Sequence, residues 1–293
     1  MPDVKLSTVK FRTVKEPDFQ NVVASQKATG IVLNRGNLQK IKLRLLTSGG
    51  VELTRAQMIA AISDIVIKVN GQTFWEVDAT FLLDRELYYG VGVLTPNVDG
   101  IIMADLTLPL NPSYLERSLT AWGLGNVQSL TIDVTVVSTA TLSKIELYSI
   151  FDDAPTRNLG DHVRINRLSR TFASTGVQEL TDMPITDQDA KGWLAEHIKF
   201  ATGTLSKLRF RANGLDVEDQ LSAKLNEHNL RDSGRIPQSG YFHLDFGRMN
   251  DVFGFLPMPA NSIFQELTWA TAAPNSYSVY LERIYRDTLA PKR

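Results

Sequence analysis

The stretch SDIVIKVNGQ, residues 63–72, alternates apolar and polar residues and then stops at Asn70-Gly71. Ile65, Ile67 and Val69 fall on one face of an extended chain, with Asp64 and Lys68 on the other, the period-2 pattern of a half-buried strand. Asn-Gly is what a two-residue hairpin prefers, because both central residues need positive φ. The same rhythm and the same ending recur in SKLRFRANGL, residues 206–215. Asn213 lies 143 positions after Asn70, so the chain writes one hairpin twice.

At that offset Ser63 meets Ser206, and Ile62, Ile65, Ile67 and Val69 meet Leu205, Leu208, Phe210 and Ala212. Leu82 meets Leu225 and Leu87 meets Leu230. Further landmarks keep their order while the offset shrinks. Gly100 and Asp105 stand opposite Gly240 and Asp245 at 140, and Leu130-Thr131 opposite Leu267-Thr268 at 137. Leu147, Ile150 and Phe151 stand opposite Leu281, Ile284 and Tyr285 at 134. This predicts two domains of one topology, the second with shorter loops, and makes Asn70, Gly71, Asn213 and Gly214 structural turn residues.

Other alternating segments include KIKLRLL (40–46), SLTIDVTVV (129–137), GYFHLDF (240–246) and YSVYLERIY (277–285). Short strands broken by turn residues are the signature of a sandwich or barrel. Helical signal is sparse. TRAQMIAAI (54–62) has Thr54 as a cap, and TDQDAKGWLAEHI (186–198) is a second candidate weakened by Gly192. NPSYLERSLTAWG (111–123) reads as a helical turn or a crossing loop. The expected fold is all-β: two tandem jelly-roll β-sandwich domains with few short helices. The first covers 29–150 and the second 166–293, joined by a linker over 151–165. Residues 1–28 read as a polar arm, either a frayed end or a segment ordered against a neighbour.

The 293 residues are 43% hydrophobic, enough for a sizeable core, and the net charge is −1. That balance argues against a dominant nucleic-acid partner and against sequence-specific nucleic-acid binding. With no cysteine, disulfides, thiolate zinc sites and cysteine catalysis are excluded. No run of about 18 apolar residues is present, so no membrane-spanning helix is expected. The N-terminal residues carry charges throughout and no apolar core, which predicts no secretion signal and assembly in the cytosol.

The four histidines, His162, His197, His228 and His243, form no ligand motif, and GxSxG, GxGxxG and P-loop patterns are absent. GVGVL (90–94) reads as a turn. Asp152-Asp153, Asp84 with Glu86, and Asp99 are possible carboxylate clusters, all read as lying in polar loops, where solvated side chains compete with catalysis. Asp152 and Asp153 are the calcium candidates, since hard oxygen ligands suit that ion. No cofactor is required. RELYYG (85–90) and TFWEV (73–77) read as aromatic core. GFLPMP (254–259) is an apolar loop bounded by prolines, with Phe255 and Leu256 as candidates for a subunit contact.

ISDIVIKVNGQTFWEVDATFLLDRELYYG (62–90), GIIMADLTLPLNPSYLERSLTAWG (100–123), SLTIDVTVV (129–137) and GYFHLDFGRMNDVFGFLPM (240–258) carry a resemblance. The chain resembles the double jelly-roll major capsid proteins of tailless icosahedral bacteriophages, the corticovirus-like group, from about residue 30 onward. The resemblance implies a non-enzymatic subunit that trimerises into pseudo-hexameric capsomers and tiles a virion shell, often over an internal membrane. It implies as partners further copies of the chain, other capsid proteins such as a vertex protein, and the membrane or its proteins. It also implies calcium in some relatives, without naming positions. The competing readings are a secreted-type carbohydrate-active or carbohydrate-binding double sandwich and a phage adhesin module.

Overall fold

A computed structural model describes residues 11–33, 36–90, 100–107, 120–171, 176–184, 189–248, 254–258, 262–270 and 276–286. They fall into two units. One holds the described residues up to Thr73 and those from 100 to His162; the other holds 74–90 and 163–286.

In the first unit, alternation in the sequence becomes strands whose apolar side points inward. The strands are β1 (Phe11–Lys15), β2 (Gln26–Val32), β3 (Asn37–Leu46), β4 (Ile62–Val69), β6 (Ile101–Asp105), β7 (Trp122–Gly123), β8 (Leu130–Val136) and β9 (Lys144–Asp152). Between β4 and β6 the chain forms β5 (Gln72–Asp78), which enters the second unit at Phe74. One sheet runs β1-β9-β3-β6, with β7 also on β3. In the other, β8 lies between β2 and β4. Ile41, Leu43 and Leu45 of β3 and Ile132, Val134 and Val136 of β8 are all buried. Helix α1 (Arg55–Ala61) starts at Thr54 with a reciprocal capping box to Gln57.

The second unit holds α2 (Ala79–Tyr88), β10 (His162–Thr171) from Val163 onward, β11 (Gly176–Leu180), β12 (Ala190–Phe200), β13 (Leu205–Ala212), β14 (Leu215–Ser222) and α3 (Ala223–Asp232). It continues with β15 (Tyr241–Asp245), β16 (Leu256–Pro257), β17 (Ile263–Trp269) and β18 (Ser276–Tyr285). One sheet runs β15-β12-β18-β10-β5, with β16 on β12, and the other β11-β17-β13-β14. Trp193, Leu208, Phe210, Leu267 and Leu281 centre its core.

The wiring is duplicated strand for strand. The path β1-β9-β3-β6 reappears nine strands later as β10-β18-β12-β15, β7 on β3 as β16 on β12, and β2-β8-β4 as β11-β17-β13. Both Asn-Gly pairs have positive φ at each residue, 50° and 79° at Asn70-Gly71 and 52° and 79° at Asn213-Gly214. Gly100 and Gly240 share φ near 80°, and their carbonyls accept from Leu45 N and Phe200 N.

Several sequence expectations need correction. The segment 186–198 is not a helix: its described part is a turn at Asp189 followed by strand β12 from Ala190. Gly192 through Ile198 are all buried, so apolar residues occupy both faces and the period of two is erased. Within the segment read as an arm, Phe11–Lys15 pair with β9 and β2 begins at Gln26, because 11–15 alternate weakly but have a partner strand far along the chain, Phe11 opposite Asp152 and Lys15 opposite Tyr148. The linker is narrower than 151–165, since β9 runs through Asp152 and β10 begins at His162. The landmark at 137 was misplaced: Ile65 pairs Val134 and Leu208 pairs Leu267, so β8 and β17 correspond at 267 − 134 = 133. The caps Asp78 and Ser222 stand 144 apart, because β14 is bulged, with Gln220 at φ 50°. Leu82 therefore meets Asn226. Residues 111–119, Asp99 and 91–94 lie outside the described residues.

Candidate functional site

A dense, buried gathering of ionisable groups lies in the second unit, where α2 meets the sheet. Asp78 caps α2 by accepting from Phe81 N at 2.6 Å. The helix then turns Phe81, Arg85 and Tyr88 inward. Arg85 grips Glu282 of β18 at two points, Nε to Oε1 at 2.7 Å and Nη2 to Oε2 at 3.0 Å, and donates to Glu86 at 3.0 Å. The Tyr89 ring lies between two guanidiniums, Arg85 at 5.1 Å and Arg235 at 5.0 Å. Arg235 and the Tyr88 hydroxyl both donate to Asp245 Oδ2, at 2.8 and 2.9 Å.

Two histidines continue the network. Gln238 N donates to His243 Nε2 at 3.2 Å, so a neutral His243 carries its proton on Nδ1. That nitrogen faces His197 Nδ1 at 2.6 Å, which must accept, leaving His197 Nε2–H to donate to Glu282 at 3.1 Å. This tautomer assignment follows from the network. Burial, then the His197 neighbour, pushes His243 well below its usual range. Burial opposes the Glu282 charge, but Arg85 and the His197 bond pull its pKa down to about 2. Burial likewise opposes the Arg85 charge, and Glu282 and Glu86 overcome it to raise it. Arg85, Glu282, His197, His243 and Asp245 are each at most 3% exposed. Such a cluster locks α2 on the sheet.

The carboxylates singled out from sequence are placed elsewhere. Asp152 is buried in the first unit and accepts from Asn37 at 2.9 Å, Gln39 at 2.8 Å and Ala154 N at 3.1 Å, while Asp153 is exposed. Among the described residues no three His, Asp or Glu gather as a metal set. Asp84 and Glu86 sit on α2 and not in a loop; Asp84 accepts from Tyr241 at 3.0 Å. Leu256 is in β16 beside Trp193 and packs on the core, and a side chain on Gly192 would strike the Phe255 ring. His162 approaches Gly160 O at 3.0 Å, and His228 is exposed on α3. The Arg85–Glu282 pair had no sequence reading. Its signal was a charged Glu-Arg step, 282–283, inside the apolar strand YSVYLERIY.

The comparisons with known proteins decide the family. The description "Viral coat protein P2 N-terminal domain" matches residues 13–152, and "Viral coat protein P2 C-terminal domain" matches 163–286.

The chain belongs to the viral coat protein P2 family.

Among solved structures, this coat protein is similar to the major capsid protein P2 of Bacteriophage PM2. The TM-score is 0.77 at 14% identity, covering 94% of this chain and 98% of that one. It is also similar to the STIV major capsid protein, with TM-score 0.68, 14% identity, and coverage of 96% and 98%. A third likeness is the PBCV-1 virus capsid, with TM-score 0.60, 10% identity, and coverage of 94% and 93%. At these identities the likenesses show the fold, a double jelly roll. No curated protein matches the chain. The carbohydrate-active reading finds no support in either set of matches.

Proposed function

We propose that this coat protein is a major capsid subunit that trimerises into pseudo-hexameric capsomers and tiles an icosahedral phage shell. The observation that carries the reading is the duplicated strand order within one P2-family chain. Two like sandwiches per chain let three chains present six like corners, and heterologous contacts of this kind close into rings. The chain acts as a structural part, with no catalysis, and needs no cofactor. Its partners are its own copies, a vertex protein, and an internal membrane or its proteins, with assembly in the host cytoplasm. Phe255 and Leu256 are half-buried in their own unit, and a lateral contact through them belongs to the same proposal.

Light scattering on the purified chain tests this reading. The expected mass is three times 32.7 kDa, or a larger assembly. A monomer that binds glycans overturns it.

A further inference from the structure

The duplication has one asymmetry. β5 and α2 belong to the first half of the sequence, yet they are built into the second unit. β5 adds in parallel to β10, with Trp75 beside Ile165. Trp75 Nε1 donates to Val163 O at 2.9 Å, and the Arg164 guanidinium lies 4.1 Å over the Phe74 ring. Phe81 of α2 stacks on Tyr280 at 3.8 Å. The sheet β15-β12-β18-β10 is thus completed at its β10 edge by β5 and covered by α2.

Its counterpart in the first unit, β6-β3-β9-β1, ends at β1 among the described residues. The second-half counterparts of β5 and α2 are β14 and α3, and β14 ends its own sheet. Counted from the Asn-Gly turn, Val217 stands where Phe74 does. Val217 is 40% exposed and Phe74 is 0%. Counted from the helix cap, Leu225 stands where Phe81 does, 53% exposed against 1%. Leu215 at the start of β14 is 72% exposed. On the other side, Phe11, Arg12, Thr13 and Lys15 of β1 are exposed where His162, Val163 and Ile165 of β10 are buried. The charged side chains at both edges are already paired within the chain, Asp216 with Arg211 at 2.9 Å, Glu218 with Arg248 at 3.0 Å and Lys15 with Glu146 at 2.8 Å, so the exposed apolar residues carry the contact.

We propose that β14 and α3 of one chain dock on the β1-β9-β3-β6 sheet of a second copy. β14 adds in parallel to β1, as β5 adds to β10 within one chain. Strand addition supplies the main-chain hydrogen bonds, and Leu215, Val217 and Leu225 supply the buried apolar surface. Each chain then has one donor edge and one acceptor edge, a head-to-tail interface that closes into a ring. This rests on the trimer reading above and names its contact.

Two experiments test it. First, Val217→Asp with Leu225→Glu changes exposed residues only. The expected result is a scattering mass that falls from the trimer to 32.7 kDa with unchanged circular dichroism. Second, the chain has no cysteine, so Thr13→Cys is paired in turn with Leu215→Cys, Val217→Cys and Asp219→Cys to cover the register. At least one pair is expected to give reducible covalent dimers and closed trimers, while Thr13→Cys alone gives none. A wild-type trimer that persists in the first variant and cross-links with no pair overturns this contact and leaves the trimer reading standing. Covalent dimers from Val217→Cys alone point to edges meeting like to like and also overturn it. A wild-type monomer overturns both readings.

Discussion

Arg85 and Glu282 form a two-point ion pair, 2.7 Å and 3.0 Å, with side chains 1% and 0% exposed, although 197 positions separate them. Removing one partner strands a buried charge, which is worse than removing both. Arg85→Ala is expected to lower stability by about 3–5 kcal/mol. Arg85→Met with Glu282→Leu should recover most of that loss. Urea unfolding midpoints of the two variants decide it.

His243 is held neutral by burial and by His197. The unfolded chain takes up a proton near pH 6.5, whereas the folded chain does not, so stability falls as pH drops below that value. His243→Leu should be less stable than the parent at pH 8, having lost the bonds to Gln238 N and His197. Its further loss between pH 7 and pH 5 should be smaller than the parent's. Midpoints at the three pH values check the sign.

Glu196 of β12 slopes the other way. It is fully buried, accepts from Gln265, and is pushed up to about 8 by burial. Between about pH 4.5 and 8 the unfolded carboxyl is ionised and the folded one is not, so rising pH costs stability, at most about 1.4 kcal/mol per pH unit. Glu196→Gln should match the parent near pH 4.5 and exceed it at pH 8. Equal midpoints at pH 8 would show that the carboxyl is not held protonated.

The two hairpin turns separate backbone cost from capping. A side chain at Gly71 or Gly214 meets nothing within 4 Å, yet φ is 79° at both. Gly71→Val and Gly214→Val should each cost about 1–2 kcal/mol, set by the left-handed backbone. Asn70 Oδ1 accepts from Gln128 N at 2.8 Å and Ser129 N at 3.0 Å, while Asn213 Oδ1 accepts from Ser262 N at 3.4 Å. Asn70→Ala leaves the Gln128 and Ser129 amides without that acceptor and should therefore lower the thermal midpoint.

What could be read in the sequence followed the exposure of each strand. β4, β8 and β13 alternate buried with mostly half-buried residues, so their period of two is visible, and the Asn-Gly turn after β4 and β13 marks the duplication. β12 is buried on both faces, so its sequence shows no period of two and reads as a helix. α2 hid for a similar reason, since Ala79, Phe81, Leu82, Arg85, Glu86 and Tyr88 are all buried and leave little polar face. α3 hid for the opposite reason, with only Asn226 and Leu230 buried. The Glu282-Arg283 step marks a charge inside an apolar strand, but nothing local in RELYYG names Arg85 as its partner.

The placement of β5 and α2 sets a clock on biosynthesis. Arg85 is made 197 residues before Glu282, an interval of about 10–40 s at 5–20 residues per second. Through that interval Phe74, Phe81 and Arg85 await strands that the ribosome has yet to deliver. The N-terminal half therefore cannot finish as an independent fold before the C-terminal half appears, and β5 is for that time an open edge. A chain truncated between the halves should be recovered with chaperones or in aggregates rather than as a stable single sandwich.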